Sequence, residues 1–457
     1  MTDPVPLAAF RFGHGLPLPA GAPTDPEAML AQLAGPDPGL ALFPGPTPAE
    51  VQAQFARSME ARLVARKTPR KSPERKAYNG VLREVEDQLE LFLRLQIARG
   101  LDSPDGLRER LVRFWADHFS ALPRLRDQRA ILVSRIDHAI RPHVTGRFAD
   151  LLMAVELHPG LLLGLDQVAS VGPNSPAGQR KGQGLNENLA REMIELHTMG
   201  VGAGYRQDDV RQLAELLTGL DVTIAEGAVF VPRKAEPGSE TVLGQIYGPE
   251  GLGPIRAVMT DLARRPETAR HLARKLVVHF LSDTPDEALV ARMAEAYLAA
   301  DTALLPMIRV LLNAPAAWEP SLQKARQPFD FMVAALRGLG VDGAAVLRMG
   351  GKPFRRMIRE PMQLMGQDWE NPRGPDGWPE AASAWITPQG LAARITWAME
   401  VPGRLIEAGA MPEPAAFAAR VLGDMAGQGD LALWAARSES PREGLGLVLA
   451  SPAFNRR

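Results

Sequence analysis

The sequence predicts a mainly α-helical protein, a multi-helical body that carries one small β-hairpin or meander insertion. From residue 79 onward, apolar side chains recur at intervals of three and four positions, which is the period of an amphipathic helix. One short region, residues 222–244, departs from that period. Its β-branched or alternating stretches are separated by Glu-Gly and Pro-Gly pairs, which predicts short paired strands.

The chain divides into three predicted parts of different composition. Residues 1–78 are a Pro/Gly-rich extension, with one helical pattern at 27–33 and a basic, proline-broken run at 66–76 that we interpret as a solvated linker. Residues 79–345 are the predicted helical core, which includes the β insertion. Residues 346–457 begin with a Trp-rich loop and continue as helices that pack on the core.

Turn and capping residues divide the periodic regions into separate helices. Gly and Pro mark the ends, because neither continues a helix readily. The predicted helices after the first amphipathic segments cover residues 127–140, 147–157, 209–217, 255–262, 266–280, 286–298, 303–312, 329–339, 390–399, 415–424 and 441–449. No repeat of about 30–50 residues is present, so a solenoid is not predicted.

Composition excludes several classes of function. The 457 residues include no cysteine, so disulfides and thiolate chemistry are excluded, and any divalent metal would rest on His, Asp and Glu. Lys plus Arg (52) nearly equals Asp plus Glu (53), which leaves no basic face for nucleic acid. The most apolar run, at residues 161–165, is too short to span a membrane. The N-terminus lacks the features of a secretory signal, so we expect a soluble, cytoplasmic protein.

Residues 184–200 (Gly-Leu-Asn-Glu-Asn-Leu-Ala-Arg-Glu-Met-Ile-Glu-Leu-His-Thr-Met-Gly) form a helix dense in ionisable groups, which follows an unusually long loop at 168–185. At 100° per residue, Glu187, Arg191 and Glu195 lie within an arc of about 80°. Their i,i+4 pairs are worth about 0.2–0.5 kcal/mol each on an exposed helix. A solvated charged face therefore explains these three residues, and a catalytic or metal-binding cluster is the alternative.

The other ionisable residues of this helix point elsewhere. Glu192 lies about 60° beyond Glu195, and His197 lies about 160° from Glu195 on the apolar side. A straight helix therefore cannot bring His197 and Glu195 to one metal ion. A complete site needs a residue from another helix, for which His118 and His279 are candidates. The structural alternative for each is a buried histidine bonded to a backbone carbonyl, or a cation at a helix C-terminus.

Two further patterns admit both a structural and a functional interpretation. His271, Lys275, His279 and Asp283 line one helix face at i,i+4 spacing, either as a polar interface or as part of a site. The Trp-rich segment at 367–385 is either a loop anchored on the helical body or an aromatic surface that stacks on sugars or covers a cleft. The spacing of these residues along the chain is compatible with both the structural and the functional interpretation.

Several of these segments resemble one known family. Residues 184–200 carry the resemblance together with Gly-Tyr-Arg-Gln-Asp-Asp-Val at 204–210, Phe-Trp-Ala-Asp-His-Phe at 114–119, His-Phe-Leu-Ser-Asp at 279–283 and Gly-Trp-Pro at 377–379. They occur in order over nearly the whole chain and closely resemble the bacterial family called domain of unknown function 1800. The resemblance implies a largely helical fold, with no established reaction, cofactor or catalytic residues. Many relatives are exported, from which this sequence departs by lacking a signal.

We therefore expect a helical enzyme of hydrolase or metal-assisted type, with its site on the helix at residues 186–200, called the motif helix below. The predicted catalytic residues are Glu192, Glu195, His118 and His197, and the predicted substrate-binding residues are Arg191, Asn188 and Trp378. A divalent metal with oxygen and nitrogen ligands is a candidate cofactor. The alternative is a non-catalytic helical module that binds a partner protein or polymer through the charged helix and the Trp-rich loop.

Overall fold

A computed structural model describes residues 4–181, 184–406 and 410–457 of the chain. Helices dominate these residues, and two small antiparallel sheets interrupt them. The predicted mainly α-helical class with a small β insertion is therefore confirmed. Within the described part of the chain, no helix combines the length and the apolar composition that crossing a lipid bilayer requires.

The N-terminal part is rich in helix despite its many prolines. It contains α1 (Pro4–Leu7), a π-helical turn (Ala8–Phe12), α2 (Pro26–Ala34), α3 (Pro38–Leu42), α4 (Pro48–Arg66) and α5 (Pro73–Asp102). In α2 to α5 a proline occupies the first turn directly after a capping residue, which is Asp25, Asp37, Thr47 or Ser72. Proline fits there because an N–H at that position has no intrahelical acceptor. Helices cover both ends of the predicted linker at 66–76 and leave a turn at 67–72.

The core consists mostly of short helices joined by tight connections. They are α6 (Gly106–His118), α7 (Arg129–Arg135), α8 (Phe148–Glu156), α9 (Pro159–Gly164), α10 (Pro176–Lys181), α11 (Asn188–Glu192), α12 (Gln207–Leu216), α13 (Leu252–Ala263), α14 (Pro266–Phe280), α15 (Glu287–Ala299), α16 (Leu304–Leu312) and α17 (Pro328–Gly338). π-helical turns extend α7 (Ile136–Ile140) and α11 (Met193–His197). The predicted loop at 168–185 is wrong in part, because α10 lies within it. Residues 182 and 183 of that loop lie outside the described residues.

The C-terminal part begins with helices, continues as an irregular loop and ends in a helical layer. Its helices are α18 (Gly343–Arg348), α19 (Gly351–Phe354), a π-helical turn (Arg355–Arg359), α20 (Glu360–Leu364), α21 (Ala382–Trp385), α22 (Pro388–Glu400), α23 (Pro402–Leu405), α24 (Pro414–Leu422), α25 (Leu431–Ala436) and α26 (Pro441–Ala450). Residues 365–381, between α20 and α21, have no helix or strand and are called the Trp loop below. The three helices predicted after this loop correspond to α22, α24 and α26.

Two separate β-hairpins form the insertion. β1 (Leu220–Thr223) pairs with β2 (Gly227–Phe230), and β3 (Glu240–Val242) pairs with β4 (Gln245–Tyr247), both antiparallel. Gly227 and Gly244 adopt φ values of +76° and +81°, which glycine reaches without steric cost at tight turns. The β-branched pattern therefore locates the first three strands, while β4 adds a second hairpin that the pattern did not indicate.

One apolar cluster contains aromatic residues from all three predicted parts. Phe12, Trp115, Phe280 and Phe454 belong to it, and each is 1% exposed. The rings of Phe12 and Phe280 lie with their centroids 5.7 Å apart. Burial of such large side chains is the main favourable term in folding. The predicted boundaries at residues 78 and 345 stay a prediction.

A network of charged and polar side chains, most of them buried, crosses the same interior. It consists of His14, Arg110, His279, Asp283, Lys324, Asp330, Glu380 and Arg457, and it is called the central charge network below. Arg110 Nη1 lies 2.5 Å from Asp330 Oδ2, and His14 Nδ1 and Arg457 Nε each lie 3.4 Å from an Asp330 oxygen. Burial alone would raise the pKa of Asp330, but Arg110 and His14 hold it well below its usual range. The network thus joins the N-terminal, core and C-terminal parts.

Replacing Asp330 with Asn removes the anion from the centre of this network and leaves Arg110 without its carboxylate. We expect the free energy of unfolding to fall by about 3–5 kcal/mol, as for other broken buried ion pairs, when it is measured by urea denaturation. The matched control is Asp301→Asn, whose exposed carboxylate bridges Arg147 and Arg264 on the surface. Exposed pairs contribute little. Equal destabilisation by the two substitutions would contradict the stabilising role of the network.

Candidate functional site

A cleft of about 1290 Å³ lies between the end of α6, the middle of α14 and the Trp loop. Phe114, Asp117 and His118 of α6 form one side together with His271 and Lys275 of α14. The Trp loop and the first turn of α22 form the other side. The polar face of α14 therefore borders the cleft at His271 and Lys275.

Asp117 lies where α6 meets the Trp loop. Its Oδ1 accepts a hydrogen bond from the backbone N–H of Trp378 at 2.8 Å. Gly377 makes this approach possible, because its φ is +81° and a Cβ there would lie 2.8 Å from each carboxylate oxygen of Asp117. Burial raises the pKa of Asp117 to about 7, although the Trp378 hydrogen bond favours the ionised form. This carboxyl therefore exchanges its proton near neutral pH.

Lys275 approaches the same part of the cleft from α14. Its side chain is half-buried and, among the residues that the structure describes, takes part in no hydrogen bond or ion pair. Burial lowers the pKa of the ammonium, while the charges of Asp117 and Glu380 oppose that shift. Partly buried charges are usually paired, because desolvation is otherwise uncompensated. An ammonium without a direct partner beside a carboxyl that titrates near neutral pH is the chemically distinctive feature of the cleft.

Two neutral imidazoles complete this side of the cleft. Nε2 of His118 donates to the carbonyl oxygen of His197 at 3.1 Å, and Nε2 of His271 donates to that of Leu196 at 3.2 Å. Because a carbonyl only accepts, both rings carry their proton on Nε2. Burial lowers the pKa of His271 to about 4 and the pKa of His118 well below its ordinary value. Both rings are therefore uncharged at neutral pH.

The Trp loop is anchored by two tryptophans and presents a third to the cleft. Trp369 is 6% exposed and donates from Nε1 to Gln96 Oε1 at 3.0 Å. Trp385, in α21, is 2% exposed and donates to the Pro379 carbonyl oxygen at 2.8 Å. Trp378 lines the cleft, and its ring centroid lies 5.9 Å from that of Trp385. The anchored-loop interpretation thus fits Trp369 and Trp385, whereas Trp378 borders the cleft.

The central charge network holds the end of the Trp loop. Glu380 Oε1 accepts from Nδ1 of His279 at 2.6 Å, and Lys324 Nζ donates to the Glu380 backbone oxygen at 2.7 Å. Burial alone would raise the pKa of Glu380, but His279 and Lys324 hold it at about 2. Arg110 Nη2 lies 3.0 Å from Nε2 of His279. Both nitrogens of His279 are thus occupied within the network, so this histidine positions the loop.

The charged face of the motif helix lies outside the cleft. Arg191 pairs with Glu187 and with Glu195, each with an N···O distance of 3.1 Å, and it also donates to Gln207 at 3.0 Å. Asn188 is exposed at the start of α11. The two ion pairs are the i,i+4 pairs of a surface helix. The predicted roles of Glu195, Arg191 and Asn188 stay predictions, and none of the three lines the cleft.

Glu192 and His197 lie on the inner side of the motif helix. His197 is fully buried, and its Nδ1 lies 2.7 Å from Glu156 Oε1. It belongs to the π-helical turn, and its burial agrees with the predicted apolar side of the helix. Glu192 is half-buried; burial raises its pKa, and nearby acids that include Asp376 of the Trp loop add to the shift. Glu192 is therefore within electrostatic range of His197 and of Asp376, which lines the cleft.

Within the described ranges, no three His, Asp or Glu side chains are grouped so as to hold a metal ion. His118 uses Nε2 for a backbone carbonyl, and His197 uses Nδ1 for Glu156. Glu195 is paired with Arg191. The predicted divalent metal therefore has no ligand set in this part of the chain.

The predicted site residues and the cleft overlap only in part. His118 and Trp378 border it, whereas Asp117, Lys275 and Asp376 line it without being among the predicted residues. Two signals were present in the sequence. Lys275 lies on the polar face of α14, and Asp117 directly precedes His118 at the end of an apolar helix. Their convergence depends on the packing of α6 against α14 and the Trp loop, which spacing along the chain does not specify.

Comparisons with known proteins identify the chain at the level of its family. No curated protein and no solved structure shows detectable similarity to it. The family model described as "Protein of unknown function (DUF1800)" matches residues 22–456, nearly the whole chain. The resemblance of the motifs is thereby confirmed, and the protein belongs to this family.

Proposed function

We propose that this protein is a hydrolase-type enzyme that works by acid–base catalysis in the cleft, with Asp117 as the group that moves the proton. One observation carries the proposal: a half-buried carboxyl whose pKa lies at about 7 faces a cleft large enough for a substrate. A general acid or base works best when its pKa is near the operating pH, and an ordinary aspartate, at about 3.9, is far from it.

The neighbours of Asp117 provide complementary chemistry. The Lys275 ammonium lacks a direct partner among the described residues, so it can stabilise negative charge that develops on a substrate. His118 and His271 are neutral, so they add no competing charge at pH 7. The proton can therefore pass between Asp117 and a substrate or water while Lys275 stabilises the anion formed.

The proposed site shares some residues with the site predicted from the sequence, and its centre is Asp117 instead of the motif helix. Among the predicted residues, His118 supports the side of the cleft beside Asp117, and Trp378 forms part of the substrate surface. Glu192 is proposed as a second carboxylate near Asp376, where burial raises its pKa. Metal assistance is left out of the proposal, because these groups suffice for acid–base chemistry.

Asp117→Asn keeps the shape of the side chain and removes the transferable proton. We expect hydrolysis of any substrate found in a panel of chromogenic esters, phosphates and glycosides to fall by about 10²–10⁴-fold, the usual contribution of a general acid or base. Asp208→Asn, at an exposed carboxylate outside the cleft, is the control and should leave the rate unchanged. Equal rates for Asp117→Asn and the wild type would sink the proposal.

The pH dependence of stability tests the same carboxyl without a substrate. The pKa of an aspartate is about 3.9 in an unfolded chain and about 7 for folded Asp117, so folding favours its protonated form. This stabilisation is complete below pH 4 or so and is lost as the pH rises through 7, by at most about 1.4 kcal/mol per pH unit. Asp117→Asn should lack this slope in urea denaturation. Parallel profiles for the wild type and the variant would contradict the shifted pKa.

The binding-module alternative is favoured by a different surface. α25 exposes Leu433 (46%) and Trp434 (60%), and the adjoining α26 exposes Leu447 (39%). Neighbouring exposed apolar side chains indicate contact with another molecule more often than isolated ones do. A stoichiometric partner that co-purifies with the wild type and is lost from Trp434→Ala would favour binding. A partner retained by Trp434→Ala, or none at all, would leave this surface without that role.

A further inference from the structure

We propose that the cleft binds an oligosaccharide, with one sugar ring stacked on Trp378. This inference deepens the proposed function, on which it rests, by naming the class of substrate. Four features support it: the mounting of Trp378, its link to Asp117, the amide side chains at the rim, and the size and charge of the cleft.

The Trp378 ring, called the platform below, is held in place by a buried neighbour. Trp385 packs against it with the ring centroids 5.9 Å apart, and Trp385 is itself buried and hydrogen-bonded to Pro379. Within the described residues, the Trp378 indole N–H has no acceptor, so it is free to bond a ligand. A pyranose ring has an apolar C–H face and hydroxyls at its edge, which matches a flat aromatic ring with a polar N–H at its side.

The platform is coupled directly to the proposed proton-transfer group. The backbone N–H of Trp378 donates to Asp117 Oδ1 at 2.8 Å, and both residues line the cleft, so a sugar chain that fills the cleft reaches both. Glycoside hydrolysis uses carboxyl groups of raised pKa to protonate the leaving oxygen. The same contact therefore holds both a sugar-binding surface and a group suited to acting on the bond next to it.

The rim of the cleft is lined by neutral amides. Gln363, Asn371 and Gln389 are exposed there, and the side chains of Gln363 and Gln389 have no protein partner in the described part of the chain. An amide donates and accepts, as a sugar hydroxyl does, so one amide can bond two hydroxyls. The cleft, at about 1290 Å³, exceeds the roughly 300–1,000 Å³ typical of small-molecule pockets. A chain of several sugar units fits this volume better than a single unit.

Two other polymers fit the cleft less well. An extended peptide commonly binds by adding a strand to a sheet edge, and the residues that line the cleft belong to helices and to the Trp loop. Nucleic acid needs unpaired cations for its phosphates. Of the three basic residues that line the cleft, Arg274 is paired with Glu287 at 2.6 Å, and Lys275 and Arg373 share the lining with four carboxyl groups: Asp117, Asp368, Asp376 and Glu380. The acidic groups therefore outnumber the cations that phosphates would need. Hydroxyl recognition remains the chemistry that the lining residues support.

The test uses the full-length Asp117→Asn protein, so that a bound chain is not consumed. It is applied to an array of plant and microbial glycans, and hits are quantified by calorimetry with the purified oligosaccharide. Unstructured peptides from digested casein and single-stranded oligothymidylate are measured alongside. In the same background, Trp378→Ala and Trp378→Leu remove the platform, Trp378→Phe keeps a ring, and Trp434→Ala removes an exposed tryptophan outside the cleft.

We expect at least one oligosaccharide to bind, more tightly as its chain lengthens. Its affinity should fall about tenfold or more in both Trp378→Ala and Trp378→Leu, and only slightly in Trp378→Phe and Trp434→Ala. No binding across the array, unchanged binding in both ring-free variants, or binding of peptide or oligothymidylate in place of sugar would overturn the inference. Sugar binding combined with an Asp117-independent reaction would sink the proposed function alone. Asp117-dependent hydrolysis without sugar binding would sink only the inference.

Discussion

Compensation among buried charges is the constraint on which the rest of this structure depends. Removing a charged side chain from water costs several kcal/mol, and the cost is recovered only if an opposite charge meets it in good geometry. Asp330 is 6% exposed and Lys324 is fully buried, so neither is tolerable alone. Their charged partners come from distant parts of the chain: Arg110 from α6 and Glu380 from the Trp loop. His14 of the N-terminal part also contacts Asp330, as a neutral ring, because burial lowers its pKa to about 4. The N-terminal part, the core and the Trp loop each contribute partners for the buried charges. These contacts fix the position of the Trp loop against α14.

The cleft contains two groups, Asp117 and Lys275, that lower the stability of the folded state, and the central charge network offsets their cost. The pKa of Asp117 lies at about 7 because burial opposes its ionisation, and Lys275 has no direct partner among the described residues. Both conditions reduce stability at neutral pH, in the way that active sites often do. Glu380, held by His279 and Lys324, fixes the loop that brings Trp378 to Asp117. The central charge network thus positions the Trp loop against Asp117 and Lys275, the two residues that reduce stability at neutral pH.

The predictable part of this molecule is the part that local periodicity determines. The helix predicted at 266–280 coincides with α14, and the strands at 220–230 follow from β-branched residues around a Glu-Gly turn. The N-terminal prolines were less informative, because proline ends one helix and begins another equally well. The site was predictable only at its border. His118 and Trp378 stand out by residue type, whereas Asp117 acquires its shifted pKa from tertiary burial, which no spacing rule encodes.

The motif helix contacts the side chains that line the cleft through its backbone. A helix leaves its last carbonyl groups without intrahelical donors. Here the carbonyls of Leu196 and His197, in the π-helical turn, accept the Nε2 protons of His271 and His118. Gly200, at φ +91°, lets His271 approach, since a Cβ there would lie 2.8 Å from its Nδ1.

His197 is held inward by Glu156. The ion pairs of Arg191 lie on the exposed side of the helix. The carbonyl groups at its C-terminal end set the tautomer of His118 and of His271. The ionisable residues of this helix therefore fall into two groups: exposed ion pairs that add a few tenths of a kcal/mol each, and a C-terminal turn that fixes the two imidazoles of the cleft.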